Sequence, residues 1–159
     1  MRIVIKRLKG KFPLMMASVL FSLAGCSTVA LSTRGSLIGV PATKSVQRAA
    51  QLDATRATLP ALHYFTDTAQ CDVTVTQINY QTPGVQPGEM SNASAALLVP
   101  GGANCPSGPH PLIAYARGTA VDKAHTNADA SLPEIQVLMI IFAAQGYAVV
   151  ATDYLGYAL

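Results

Sequence analysis

The chain has 159 residues, half of them hydrophobic and 12% charged, with 11 basic and 8 acidic side chains. That composition excludes extended disorder, and the length suits one small core. Arg2, Lys6, Arg7, Lys9 and Lys11 open the chain, so beyond residue 25 the remaining 6 basic side chains face 8 acidic ones; the basic pI belongs to the leader and is no argument for a nucleic-acid partner.

The basic start contains no acidic residue and runs into an apolar stretch from Pro13 to Ala24. These are the n-region and h-region of a secretory signal. The stretch is too short to cross a bilayer as a helix, which takes about 20 apolar residues. It closes on Leu23-Ala24-Gly25-Cys26, which resembles the lipobox of bacterial lipoproteins. The resemblance implies cleavage before Cys26, acyl chains on its thiol, and an exported protein held to a membrane of the cell envelope. An ordinary signal peptide, or an uncleaved anchor with a chance cysteine, is the alternative.

Residues 1–25 are therefore read as a signal peptide, 26–60 as a tether, and 61–159 as the folded part. The tether is rich in Ser, Thr and Ala, with a helix expected near Lys44 to Ala57. Cys71 and Cys105 remain once Cys26 is set aside, an even pair in an oxidising compartment. They stand either as one disulfide, joining the start of the first strand to the loop after the second, or as two free thiols. No CxxC or His/Cys spacing suggests a metal ligand set, and no cofactor is expected.

Asp72 to Tyr80 alternates Val73, Val75, Gln77 and Asn79 with Thr74, Thr76, Ile78 and Tyr80, the pattern of a half-buried strand. Pro83-Gly84 and Pro87-Gly88 mark turns, and Ala93 to Val99 is a second strand ended by Pro100-Gly101-Gly102. Pro111 to Ala116 suits a strand buried on both faces. Ser131 and Glu134 have the spacing of a capping box; Ile135, Leu138, Met139 and Phe142 then recur at helical spacing, and Gly146 supplies a stop. Tyr147 to Thr152 is a further strand. Strand, loop, helix, strand predicts a parallel βαβ unit with a right-handed crossover, fed by two antiparallel strands.

This order, with three local motifs, resembles the N-terminal part of an α/β-hydrolase of the secreted lipase and esterase type. The motifs are His110-Pro111-Leu112-Ile113-Ala114-Tyr115-Ala116-Arg117-Gly118-Thr119, Ala143-Ala144-Gln145-Gly146-Tyr147-Ala148-Val149-Val150, and Ala151-Thr152-Asp153-Tyr154-Leu155-Gly156-Tyr157. The resemblance implies that Gly118 turns the chain and Thr119 offers a backbone N–H to an oxyanion. Arg117 stands where the family usually has histidine. Asp153 is expected to shape its loop rather than catalyse. His63, His110 and His125 are poor candidates for the base, because the family's histidine follows its nucleophile.

No G-x-S-x-G occurs in the sequence; Gly35-Ser36 and Ser107-Gly108 lack the second glycine. The family places that motif on the strand after the one ending near Thr152, so the sequence is read as truncated before it. The expectation is an N-terminal fragment of a lipid-anchored carboxylester hydrolase, inactive by itself. Its expected partners are a membrane, through lipid on Cys26, and an apolar ester if the whole domain exists. A non-catalytic surface lipoprotein is the alternative.

Overall fold

A computed structural model describes residues 34–119, 121–122 and 124–157; the signal segment and Cys26 lie outside them. The described chain runs β1 (Ala42–Gln47), α1 (Ala49–Ala57), a 3-10 turn (Pro60–Tyr64), β2 (Asp72–Pro83), β3 (Met90–Gly101), β4 (Leu112–Ala116), α2 (Pro133–Ile141), a 3-10 turn (Ala143–Gln145) and β5 (Ala148–Thr152). The strands form one five-stranded sheet in the order β1-β2-β3-β5-β4. β1, β2, β3 and β5 are antiparallel in succession, while β4 and β5, joined through α2, are parallel. The sequence reading of a β-hairpin leading into a parallel βαβ unit describes this arrangement.

Period-two patterning builds β2. Val73, Val75 and Gln77 are buried, and Thr74, Thr76 and Ile78 between them are half-buried, so one strand face points into the core. The register continues that face across the sheet. Val75 pairs Leu98, which pairs Val149, which pairs Ile113; Gln77, Ala96, Ala151 and Tyr115 form the next row. Leu52 of α1, Ile135, Leu138 and Met139 of α2, and Ala143 and Ala144 belong with these rows to one buried cluster.

Helix α2 shows which force decides. Ile135, Val137, Ile140 and Ile141 are β-branched and cost a few tenths of a kcal/mol each in a helix. Burying Ile135, Leu138, Met139 and Ile140 contributes about 1.5–3 kcal/mol apiece. Packing therefore makes this helix, not propensity. The 3-10 turn that follows it ends at Gly146, φ 95°, a left-handed conformation that a Cβ would strain, and Tyr147 N–H closes back on the Phe142 carbonyl at 3.1 Å.

Four expectations change. β4, read as buried on both faces, ends the sheet order, with Leu112, Ala114 and Ala116 exposed. Residues 42–57, read as tether, contribute β1 and α1 to the folded body. β1 is a polar edge strand whose one large apolar residue, Val46, is exposed, so no burial pattern marks it. The expected helix starts at Ala49, pinned by Asp72, whose carboxylate accepts Ala49 N–H at 2.9 Å and Arg48 Nη1 at 2.7 Å. The capping box of Ser131 and Glu134 does not form. Leu132 is the cap residue of α2, because Asp129 captures Ser131 first, accepting its N–H at 2.8 Å and its hydroxyl at 2.7 Å. Glu134 instead accepts the Tyr115 hydroxyl. Finally, β2 and β3 run beyond the expected bounds, pairing from Asp72–Gly101 out to Pro83–Met90.

Cys71 and Cys105 form a disulfide with Cα atoms 4.4 Å apart. It ties the residue before β2 to the loop that follows β3. No helix among the described residues is long and apolar enough to cross a membrane.

Candidate functional site at the ends of the parallel strands

The third inward row of the sheet is polar, where the first is apolar and the second mixes Gln77 and Tyr115 with two alanines. Asn79 pairs Ser94, Asp153 N–H bonds the Ser94 carbonyl at 2.9 Å, and Arg117 follows Ala116, the end of β4. The row lies at the C-terminal ends of the parallel pair, the edge at which α/β sheets hold ligands.

Asp153 is the hub. Its Oδ1 accepts Arg117 Nη1 and Asn127 N–H, each at 3.0 Å, and its Oδ2 accepts Ser94 Oγ at 2.6 Å and Thr126 Oγ1 at 2.9 Å. The Arg117–Asp153 pair is almost wholly buried, with side-chain exposures of 5% and 0%. A carboxylate with four donors holds no lone pair free to take a proton from a nucleophile or to orient a histidine. The expectation that Asp153 shapes its loop agrees with this geometry.

The same bonds organise the loop after β4. Arg117 Nη1 also donates to the His125 carbonyl at 2.8 Å, Tyr154 donates its hydroxyl to the Arg117 carbonyl at 2.8 Å, and Asn127 Nδ2 donates to the Thr152 carbonyl at 3.0 Å. The segment from Arg117 to Asn127 is thus stitched at both ends to the loop that leaves β5. Between those anchors Gly118 and Thr119 are exposed, and among the described residues neither N–H has an acceptor. Arg117 Nε and Asn127 Oδ1, both buried, have no partner among the described residues either.

The histidines lie apart from this chemistry. His63 is exposed in the first 3-10 turn, and His110 faces the Gly146 carbonyl through Nδ1 at 2.9 Å. His125 serves the cluster with its carbonyl, while its ring stands 3.7 Å from the exposed Asp122 carboxylate. Tyr115 has its hydroxyl raised above the ordinary tyrosine value, first because it donates to the Glu134 carboxylate and then by burial. Tyr80 is raised by burial, with the Asp153 charge adding to it. Among the described residues no cluster of His, Cys, Asp or Glu gathers to hold a metal.

Ser94, Thr126 and Asn127 were not singled out from the sequence. Ser94 carried a usable signal, since it shares the strand parity of Ala96 and Leu98 and so points to the buried face. Asn127 and Thr126 carried none, because a loop has no period to read.

A mixed sheet in this order, with a helical crossover between its parallel strands and a polar cluster at their C-terminal ends, is an α/β-hydrolase-like fold. The rice cell wall degrading esterase LipA from Xanthomonas oryzae shares it, with a TM-score of 0.64 and 33% identity over 77% of this chain. A ligand-bound form of that esterase gives 0.63 at 33% identity. A candidate hydrolase from Legionella pneumophila, at 21% identity and a TM-score of 0.62, shares the fold over 76% of the chain. The chain spans about 30% of the length of each of these structures. No family model and no curated protein sequence matches the chain.

Proposed function

We propose that this chain carries the oxyanion-binding side of a carboxylester hydrolase, on a body tethered to a membrane by lipid on Cys26. The observation that supports it is the loop after β4: a buried ion pair fixes its two ends and leaves the Gly118 and Thr119 amides exposed between them. Two unengaged N–H groups on an anchored loop are what a tetrahedral oxyanion requires. The substrate class is an apolar carboxylic ester.

No G-x-S-x-G lies within the 159 residues, so the chain by itself is inactive in this reading. Without a nucleophile and its base, an oxyanion site gives only residual rate enhancement. The second reading is a non-catalytic surface lipoprotein that keeps the fold for binding.

A chimera separates the two. Residues 34–157 of this chain replace the structurally matched segment of the Xanthomonas esterase, which brings its own remaining parts. The hydrolase reading expects turnover of a p-nitrophenyl ester, and a fall in kcat of roughly 10²–10³ when Thr119→Pro removes the amide. A folded chimera without turnover, or one indifferent to Thr119→Pro, refutes it.

A further inference from the structure

The point at which the chain enters the folded body says which way the body faces. The first described residues run beside the outer end of β2: Gly35 N–H bonds the Gln81 carbonyl at 2.8 Å, Gln81 N–H bonds the Ser36 carbonyl at 2.9 Å, and Leu37 pairs Tyr80. Arg34 is thus next to the tip of the β2–β3 hairpin. Seven residues lie between it and Cys26, and the eight fully extended steps across them reach at most about 29 Å. An acyl group on Cys26 therefore holds the hairpin end of the sheet close to the lipid. The opposite end, where the Thr66 hydroxyl meets the Ile140 carbonyl, is the far side of a 12-residue strand, roughly 40 Å away at ~3.3 Å per residue. That exceeds the tether's reach.

The hairpin tip is built for an apolar surface. β2 and β3 continue four residue pairs past the Asn79–Ser94 row, to Pro83–Met90, which lifts the tip about 13 Å above the polar row. Val85 is 86% exposed, Leu37 55% and Met90 46%. Pro83 and Pro87 flank the turn. Its one charged residue, Glu89, turns its carboxylate back onto the Gln86 N–H at 2.9 Å. Val121 and Leu155, in the two loops that leave the parallel strands, are exposed at the same end.

We infer that the β2–β3 hairpin tip is a second membrane contact, seated on a phospholipid bilayer, which turns the Arg117–Asp153 end of the sheet toward the lipid. The inference rests on the lipid-anchor reading of Cys26. It goes beyond that reading by giving the body one orientation, in which the Gly118–Thr119 loop faces the phase where apolar esters dissolve.

The chain contains no tryptophan, so a single introduced one reports depth without background. The acylated full chain is placed in phosphatidylethanolamine–phosphatidylglycerol vesicles carrying doxyl-labelled acyl chains. Val85→Trp and, as a second reporter, Met90→Trp are expected to shift to the blue and lose most of their emission. Phe65→Trp, 73% exposed in the native chain and at the opposite end, is expected to keep its emission. Mass spectrometry of the N-terminus reads the anchor separately. A Cys26 without acyl chains overturns the anchor and the inference together. An acylated chain with both hairpin reporters unquenched, or with Phe65→Trp quenched as strongly as they are, overturns the inference alone.

Discussion

Replacing Asp153 by asparagine tests whether the buried ion pair holds the loop after β4. The substitution keeps the side chain's shape. With the amide nitrogen in place of Oδ2, it faces Ser94 Oγ and Thr126 Oγ1, hydroxyls that can rotate to accept. The amide oxygen in place of Oδ1 still accepts from Arg117 and Asn127. What is lost is the charge that compensates a guanidinium only 5% exposed. Removing one partner of a buried pair costs about 3–5 kcal/mol, and the retained hydrogen bonds put Asp153→Asn near the lower end, at ~3 kcal/mol. With m near 1.5–2 kcal/mol/M, the urea midpoint falls by roughly 1.5–2 M. The assay is equilibrium urea unfolding of the soluble Cys26→Ser form, followed by far-UV circular dichroism. Arg117→Met leaves Asp153 three donors and costs less, about 2 kcal/mol. In the double variant no charge is left buried, so the losses fall short of additivity by about 2 kcal/mol. A loss under ~1 kcal/mol for Asp153→Asn, or strict additivity in the cycle, would refute the argument.

Two further outcomes follow from single contacts. The Cys71–Cys105 bridge closes a sequence separation of 34, and Cys71→Ala/Cys105→Ala should cost about 3.8 kcal/mol on the loop-entropy account, read as a lower urea midpoint that added reductant does not lower further. Tyr115 has its ionisation raised by the Glu134 carboxylate, so its protonated form is the one the fold favours. The stability it contributes is complete below the unfolded tyrosine value, about 10, and disappears as pH rises through the higher folded value. Tyr115→Phe should flatten that alkaline fall in urea stability without abolishing it, since Tyr80 is also raised; an unchanged slope would show that the hydroxyl contact does not matter to folding.

How much of this was legible in the sequence depends on whether a residue's partner is close in a periodic pattern. Val73, Val75, Leu138 and Met139 repeat at strand or helix spacing, so their burial could be read directly. Gly146 could be read because the end of a helix followed at once by a strand asks for a left-handed residue. β1 could not, since six largely polar residues on a sheet edge leave no apolar stripe to find. The capping box misled for a related reason. Ser131 and Glu134 fit the local rule, but Asp129 lay within reach of the same serine and Tyr115 took the glutamate. The polar cluster was the hardest part, because Ser94, Thr126, Asn127 and Asp153 meet only after three separate connections have closed. Sequence could name Asp153 and Arg117 as residues within two motifs; it could not say that they pair.

That pairing also says what Arg117 does for the loop after β4. The guanidinium anchors one end of the Gly118–Thr119 loop through a buried charge pair. It presents several N–H groups from one planar group, and Nη1 alone spans from the Asp153 carboxylate to the His125 carbonyl. In exchange, Asp153 is committed to neutralising it. If an ester is hydrolysed on this scaffold, the carboxylate that orients the catalytic histidine must be a different one, since Asp153 is fully engaged. The Gly118 and Thr119 amides, proposed above to hold an oxyanion, need only the loop's shape, which the arginine holds through its two contacts.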